Sequence, residues 1–567
     1  MSAAAHLWTL LHGPGYPYRR CPSEGAGRSP LLTPNLPRLP PMKALLLALV
    51  LLLPPTIHGQ TIHSAPSKTT SEKLAYFLQL VDTLRQRAHN PGLALAIVAD
   101  GKLLYKGGMG FRDVARQLPV TNNTLFEIGS CSKAFTGVLA TQLVADSLLR
   151  WDAPVCQYLP TFRLADAYAT EHATLQDLLT HRVGLYQHYY LQYGPRFGRN
   201  EVLAKLPYLS FNGSFREKFI YNNLLYTVAG LVEEQVTHTP WEQLVDRRIF
   251  RPLGMQHSFA TFADFQRYPE NTVSYQKDGR TVVAAASLDG AAPAGGISAT
   301  IDDMATWVRM LANKGTLDGR RFLTPEQFAY LTSPLTVRNP AEEIFYGIAW
   351  DIDTRRNIIY HDGRTAGQSC RILLMPQHGF GIVVLCNQQT DLQNLLIRYA
   401  TNILVDDNYE RMTDFEKFVQ RSTQSASPPA AVLPLADTAI AKALLLAAGT
   451  YTHPAYGRIR LSQPQPNRFF FEYYDFKGPV QYQPATGLSA HTTHYTGTDA
   501  FNFRLLKNAQ HVITGLEIRF PASAPMVFTK NLAQRVKSNT TAGHPRVGQS
   551  RSRKLTRRGT LGRNSAK

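Results

Sequence analysis

Cysteine is scarce in this chain, with five residues among 567. Small secreted domains stapled by disulfides are dense in cysteine, so a disulfide framework is excluded. Cys21, Cys131, Cys156, Cys370 and Cys386 lie far apart, and no Cys-x-x-Cys or clustered His/Cys spacing is present. That pattern offers no metal-ligand set, and neither a metal nor any other cofactor is expected. Cys370 and Cys386 fall in neighbouring strand-like segments, where a disulfide and two buried thiols both remain open. The apolar run Ala44 to Leu53 is also short. A membrane span needs about 20 such residues, so this run does not read as one.

Acidic residues are missing from the C-terminal end. Residues 530–567 hold eleven Lys and Arg and no Asp or Glu. The net charge of +19 comes mainly from there and from residues 1–59, which carry +4. The body between is nearly neutral at +4, so the charge does not indicate a nucleic-acid partner. Residues 531–567 interleave Arg and Lys with Ser, Thr and Gly without apolar periodicity, and read as a solvated, disordered tail.

The other end carries an address. Lys43 is followed by the apolar run Ala44 to Leu53, then by Pro54-Pro55 and the small, polar stretch Thr56 to Gln60. This is the pattern of a secretory signal peptide. Translation is expected to begin at Met42, with residues 1–59 forming an N-terminal extension and signal. The destination is secreted or periplasmic, with no stable membrane anchor after cleavage.

Periodicity divides the rest. Leu74, Phe77, Leu78, Val81 and Leu84 share one side of a helix over Lys73 to Arg87. Leu93 to Val98, Asp100-Gly101 and Leu103 to Tyr105 read as a hairpin. A helix starts near Ser130, residues 150–260 are mainly helices and loops, and Ile301 to Leu311 is helical. Strands return at Ile348 to Ile352, Ile358 to His361, Cys370 to Met375 and Phe380 to Cys386. Strands at both ends with helices between imply one sheet closed by the two ends of the domain. Gln420 to Pro434 is rich in Ser, Pro and Ala and reads as a linker. Beyond it, period-two runs such as Phe469/Phe471/Tyr473 and Phe501/Phe503/Leu505 argue for a small all-β barrel.

Three motifs could carry chemistry. In Gly129-Ser130-Cys131-Ser132-Lys133, a helix start brings Lys133 beside Ser130. A serine hydroxyl is a weak nucleophile until a base activates it, and lysine serves only with a lowered pKa. Tyr221-Asn222-Asn223 precedes an apolar helix. A tyrosine can relay a proton there, and an asparagine can orient both lysine and substrate. His361-Asp362-Gly363 lies at a strand end before a Gly-containing loop. Each has an ordinary structural reading when taken alone.

In this order and spacing the three resemble the beta-lactamase-related serine hydrolases: class C beta-lactamases, DD-peptidases, D-aminopeptidases and carboxylesterases. Trp151-Asp152-Ala153-Pro154, Leu178-Leu179-Thr180-His181 and Ala294-Gly295-Gly296-Ile297-Ser298 are similar to further stretches of that family. The likeness covers roughly residues 75–405. It implies an α/β fold, an antiparallel sheet flanked by helices with an all-helical subdomain. It implies Ser130 as nucleophile, Lys133 and Tyr221 as proton carriers, Asn223 as orienting group, and an acyl-enzyme. It places His361, counted among the catalytic residues, where many relatives have lysine. The oxyanion would lie near Gly363, between the N–H groups of Ser130 and Arg364. In the aromatic run Tyr186 to Tyr190, Tyr186 and His188 are expected as substrate contacts, and His181 as structural.

His361 is mostly neutral near pH 7, so it attracts a substrate carboxylate less than lysine does. Asp362 would weaken that attraction further unless Arg364 offsets it. The expected function is therefore a secreted serine hydrolase of esters or small peptides, D-amino-acid peptides among them. The rivals are a penicillin-binding DD-peptidase or beta-lactamase, and a non-catalytic protein that binds cell-wall peptide. The expected layout is 1–59 extension and signal, 71–405 catalytic domain, 406–445 helix and linker, 446–530 lipocalin-like barrel, and 531–567 tail. The partner is a small ester or peptide substrate, and the oligomeric state is left open.

Overall fold

The computed structural model describes residues 69–193, 197–408, 417–418, 435–494, 497–520 and 523–531. The expected signal, the linker at 420–434 and nearly all of the basic tail lie outside them.

Strand β1 (Gly92–Ala99) is apolar throughout because both of its faces are covered. Ala94, Ala96 and Val98 join one core cluster, and Leu93, Leu95 and Ile97 join another. β1 pairs on one side with β2 (Lys102–Asp113), which continues to β3 (Leu118–Pro119). On its other side it pairs antiparallel with β9 (Phe380–Cys386), from Leu93 opposite Cys386 to Val98 opposite Gly381. The remaining strands are β4 (Thr336–Asn339), β5 (Ile344–Tyr346), β6 (Asp351–Asp353), β7 (Ile358–Thr365) and β8 (Gln368–Met375). The nine-stranded order is β4-β5-β6-β7-β8-β9-β1-β2-β3. The ends of the domain thus meet in mid-sheet, as the sequence implies.

Helix α1 (Thr70–Arg87) and helix α5 (Leu392–Leu404) cover one face, burying Phe77, Val81, Leu395 and Leu396 there. Against the other face lies α4 (Ile301–Ala312), and α2 (Lys133–Ala145) and α3 (Asn223–Thr237), packed on each other, join it in the larger core. α2 is buried nearly all round, and Phe135 stacks on Trp307 of α4 with centroids 4.0 Å apart.

Two expected strands are corrected. Gly347 to Trp350 forms a turn between β5 and β6, closed by the Gly347 N–H donating to the Trp350 carbonyl at 2.8 Å. Ala349 stands at φ +68°, outside strand conformation, and Ile348 is fully buried in contact range of Gly137 on α2. His361-Asp362-Gly363 is not a strand end, because β7 runs on to Thr365. The cysteines are also decided: Cys131, Cys156, Cys370 and Cys386 are all free. Cys370 pairs across from Leu385, next to Cys386, so the two side chains point to opposite faces.

After α6 (Thr438–Ala447) the chain forms a closed eight-stranded barrel. Its strands are β10 (Gly449–His453), β11 (Gly457–Gln465), β12 (Arg468–Tyr473), β13 (Phe476–Gln483), β14 (Gly487–His494), β15 (Gly497–Lys507), β16 (Ile513–Arg519) and β17 (Pro525–Lys530). β10 pairs with both β11 and β17, which leaves no free edge. Eight strands enclose a space that side chains can fill. Here Tyr451, Tyr473, Phe471, Phe501, Phe520 and Phe528 are buried in it. Among the described residues no helix is long and apolar enough to cross a membrane, and no metal-ligand cluster occurs.

Candidate active site

Ser130 lies in a tight turn, not on an α-helix. The short strand Leu125–Glu127 leads into a 3-10 turn, Gly129–Ser132, and α2 begins only at Lys133. The turn needs Gly129, which stands at φ +52°; a Cβ there would also sit 2.5 Å from the Arg364 nitrogen of β7. Gly363 is equally constrained, since a Cβ on it would sit 1.9 Å from the Ile128 carbonyl oxygen. Two glycines back to back therefore let β7 press on the nucleophile turn. Ser132 Oγ fastens the turn from behind: it donates to the Gly129 carbonyl at 2.7 Å and accepts from the Ile297 N–H at 3.0 Å.

Lys133 projects from the first turn of α2 and is fully buried. Its Nζ lies 3.2 Å from Ser130 Oγ, 2.6 Å from Asn223 Oδ1 and 2.7 Å from the Ala294 carbonyl. It also sits 4.8 Å from the Tyr221 ring centroid and 5.2 Å from that of Tyr226. Burial holds its pKa well below the usual lysine range. The partners suit the neutral amine. Asn223 Oδ1 and the Ala294 carbonyl can only accept, so they take both N–H bonds. The remaining lone pair then faces the Ser130 hydroxyl.

Asn223 is the first residue of α3, whose N-cap Asn222 accepts from the Leu225 N–H. The Asn222 N–H donates to His181 Nδ1 at 3.0 Å, and Asn222 Nδ2 donates to the Tyr186 carbonyl at 2.6 Å. His181 packs against Tyr221 at 4.5 Å and Tyr346 at 5.0 Å. Burial, then the nearby Lys133, push its pKa far down. It thus props the Tyr-x-Asn element from behind.

His361 is buried rather than displayed. Its Nδ1–H donates to the Asp362 carbonyl at 2.7 Å, and its Nε2 accepts from the Tyr346 hydroxyl at 3.0 Å. Burial, with Lys133 adding repulsion, lowers its pKa to about 3, so the ring is neutral. Asp362 points to the opposite face of β7 and pairs with Arg371 at 2.8 Å. The Arg364 guanidinium pairs with Asp391.

Ser130, Tyr221, Asn223, Gln187, Tyr189, Arg364, Thr365 and Gln389 line one cavity of about 220 Å³. Of the expected substrate contacts, Tyr186 and His188 are not among its walls. His188 turns away and is fully buried, while its neighbours Gln187 and Tyr189 face the cavity. A left-handed kink at His188, φ +46°, just before the short helix Tyr190–Tyr193 produces this, and that kink could not be read from the sequence. Glu127 also went unread. It accepts from Thr365 Oγ1 at 2.8 Å and Gln368 Nε2 at 3.2 Å, and burial raises its pKa to about 7. Its signal was a carboxyl between Phe126 and Ile128, in an otherwise apolar strand.

The family model described as Beta-lactamase matches residues 77–405. Among curated proteins, the unguisins hydrolase ungD' of Aspergillus campestris is 26% identical over 435 residues, covering 68% of this chain and 77% of that protein. The protein flp of Staphylococcus aureus strain MW2 is 24% identical over 337 residues, covering 58% and 66%. Among solved structures, the octameric penicillin-binding protein homologue from Pyrococcus abyssi aligns with a TM-score of 0.55 at 19% identity. That alignment covers 80% of this chain and all of the other, and it speaks to the fold.

Proposed function

The chain belongs to the beta-lactamase family, and on that premise we propose that it is a serine hydrolase acting on esters or small peptides through an acyl-enzyme on Ser130. One observation carries the reading: the buried Lys133 amine has both N–H bonds directed to strict acceptors and its third position directed at Ser130 Oγ. A base held neutral by burial can take the serine proton as Oγ attacks a carbonyl. The oxyanion then develops between the N–H groups of Ser130 and Arg364, where β7 meets the turn. The Ser130 N–H lies at the start of a helical turn, where such groups lack intrahelical partners. Lys133 returns the proton to the leaving group, with the Tyr221 hydroxyl in the same cavity as a second carrier. Water repeats the cycle on the acyl-enzyme.

His361 supports esters and peptides over beta-lactams. It is neutral, buried and tied to Tyr346, so it offers no cation to a substrate carboxylate. The Arg364 charge is already paired by Asp391. Export belongs to the same proposal and rests on the run Ala44 to Leu53 after Lys43.

Turnover of nitrophenyl esters, D-amino-acid amides and a chromogenic cephalosporin tests the reading. Esters or amides should be hydrolysed, the cephalosporin slowly at best, and Ser130→Ala should abolish all turnover. Preferential cleavage of the cephalosporin would overturn the substrate class.

A further inference from the structure

We propose that the C-terminal barrel builds one wall of the active-site cavity. It does so by gripping residues 186–191 and thereby fixing Gln187 and Tyr189 in front of Ser130. The inference rests on the hydrolase reading and adds to it a determinant of substrate choice.

The segment faces two ways. Gln187 and Tyr189 line the cavity that holds Ser130, Tyr221 and Asn223. His188 and Tyr190 point back into the barrel. Tyr190 is only 3% exposed, and its ring lies 5.2 Å from Phe476, 5.0 Å from Phe501 and 5.6 Å from Phe520. These are barrel residues, so a tyrosine from the catalytic domain completes the barrel's aromatic filling. Its hydroxyl lies close to the Asp499 carboxyl of β15, and its carbonyl accepts from the Tyr473 hydroxyl at 3.4 Å.

His188 supplies the second grip. Its Nε2 lies 3.1 Å from the Ser210 carbonyl, which can only accept, so Nε2 carries the hydrogen. Nδ1 is then the acceptor for the Tyr456 hydroxyl at 3.0 Å. The backbone of His188 stands at φ +46°, in the left-handed region that a histidine enters at a cost. Such a conformation persists where the surroundings over-determine it. Here Ser210 holds it from the catalytic side and Tyr456 from the barrel. This kink sends Gln187 and Tyr189, on either side of it, to the cavity wall, and the barrel contacts are what hold it. Tyr190 and Tyr456 are therefore positioning residues.

The test uses the full chain, a series of nitrophenyl esters of increasing acyl length, and a small fluorophosphonate probe. In Tyr190→Ala and Tyr456→Phe, KM should rise and the acyl-length preference should flatten, by up to about 10²-fold, the cost of an ångström of misplacement. Ser130 labelling by the small probe should keep its rate. Tyr190→Phe, which keeps the ring among Phe476, Phe501 and Phe520, should restore the preference. If Tyr190→Ala fails to fold, Tyr456→Phe, which removes one hydroxyl, bears the same test. Hydrogen–deuterium exchange over residues 186–191 should rise in both variants.

Unchanged acyl preference and unchanged exchange in folded variants would overturn the proposal. A parental chain that the probe does not label would instead overturn the hydrolase reading. In that case, raised exchange in Tyr456→Phe would still establish the barrel's grip, and unchanged exchange would refute it.

Discussion

Burial without a carboxylate partner destabilises an ammonium ion relative to the free amine. Lys133 is in that position, for its hydrogen-bond partners among the described residues are the neutral oxygens of Ser130, Asn223 and Ala294. Glu127 is the acid counterpart. Its carboxyl meets Thr365 and Gln368 and, among the described residues, pairs with no cation, and burial raises its pKa from 4.5 to about 7. The sign follows from linkage. Below pH 4.5 the group is protonated in both states, and its hydrogen bonds contribute fully. As pH rises from there to about 7, the unfolded chain ionises first and stability is lost. Glu127→Gln should remove this slope, with a gain above neutral pH on the order of 3 kcal/mol. Denaturant midpoints of both proteins from pH 4 to 9 measure it, and parallel curves would count against the assignment. This residue was legible only as a carboxyl in an apolar strand. Ser130, Lys133, Tyr221 and Asn223 were legible because their spacing is local or motif-bound. Gln187 and Tyr189 were not, because which way a loop residue points depends on distant partners such as Tyr456.

Among the elements, β7 and the Gly129–Ser132 turn form the catalytic junction. The strand at Ile358 to His361 was read from the sequence, yet Gly363 was misread as its end. A glycine usually interrupts a strand. Here it lets the strand pass the Ile128 carbonyl, where a Cβ would come within 1.9 Å. Gly363→Ala should therefore push β7 off the turn and carry the Arg364 N–H away from the oxyanion. Loss of one such donor lowers kcat by about 10²–10³-fold. Steady-state kinetics on the best ester, with Tm as the folding control, should show a fall in kcat larger than any rise in KM. An unchanged kcat would place the oxyanion elsewhere. The turn at Gly347–Trp350 was misread for the opposite reason: its residues are as apolar as a strand's because Ile348 packs against α2. Hydrophobicity reports burial, and only backbone angles such as φ +68° at Ala349 separate the two cases.

At the scale of the molecule, one apolar cluster runs from the catalytic helices into the barrel. The barrel itself was legible, since its period-two runs and turns are local. Its coupling to the active site was not, because Tyr190 and Phe501 are far apart in sequence. A shared core makes joint unfolding the expectation, where separate domains would show separate transitions. Calorimetry should give a single peak, and two well-resolved peaks would contradict the continuous core. In the proposed mechanism Ser130, activated by Lys133, is the nucleophile. The most direct measurement is reaction of the full chain with a fluorophosphonate, followed by mass spectrometry of its peptides. One adduct is expected, on Ser130, absent from Ser130→Ala and strongly slowed in Lys133→Met; no adduct, or one that persists in Ser130→Ala, would rule Ser130 out as the nucleophile.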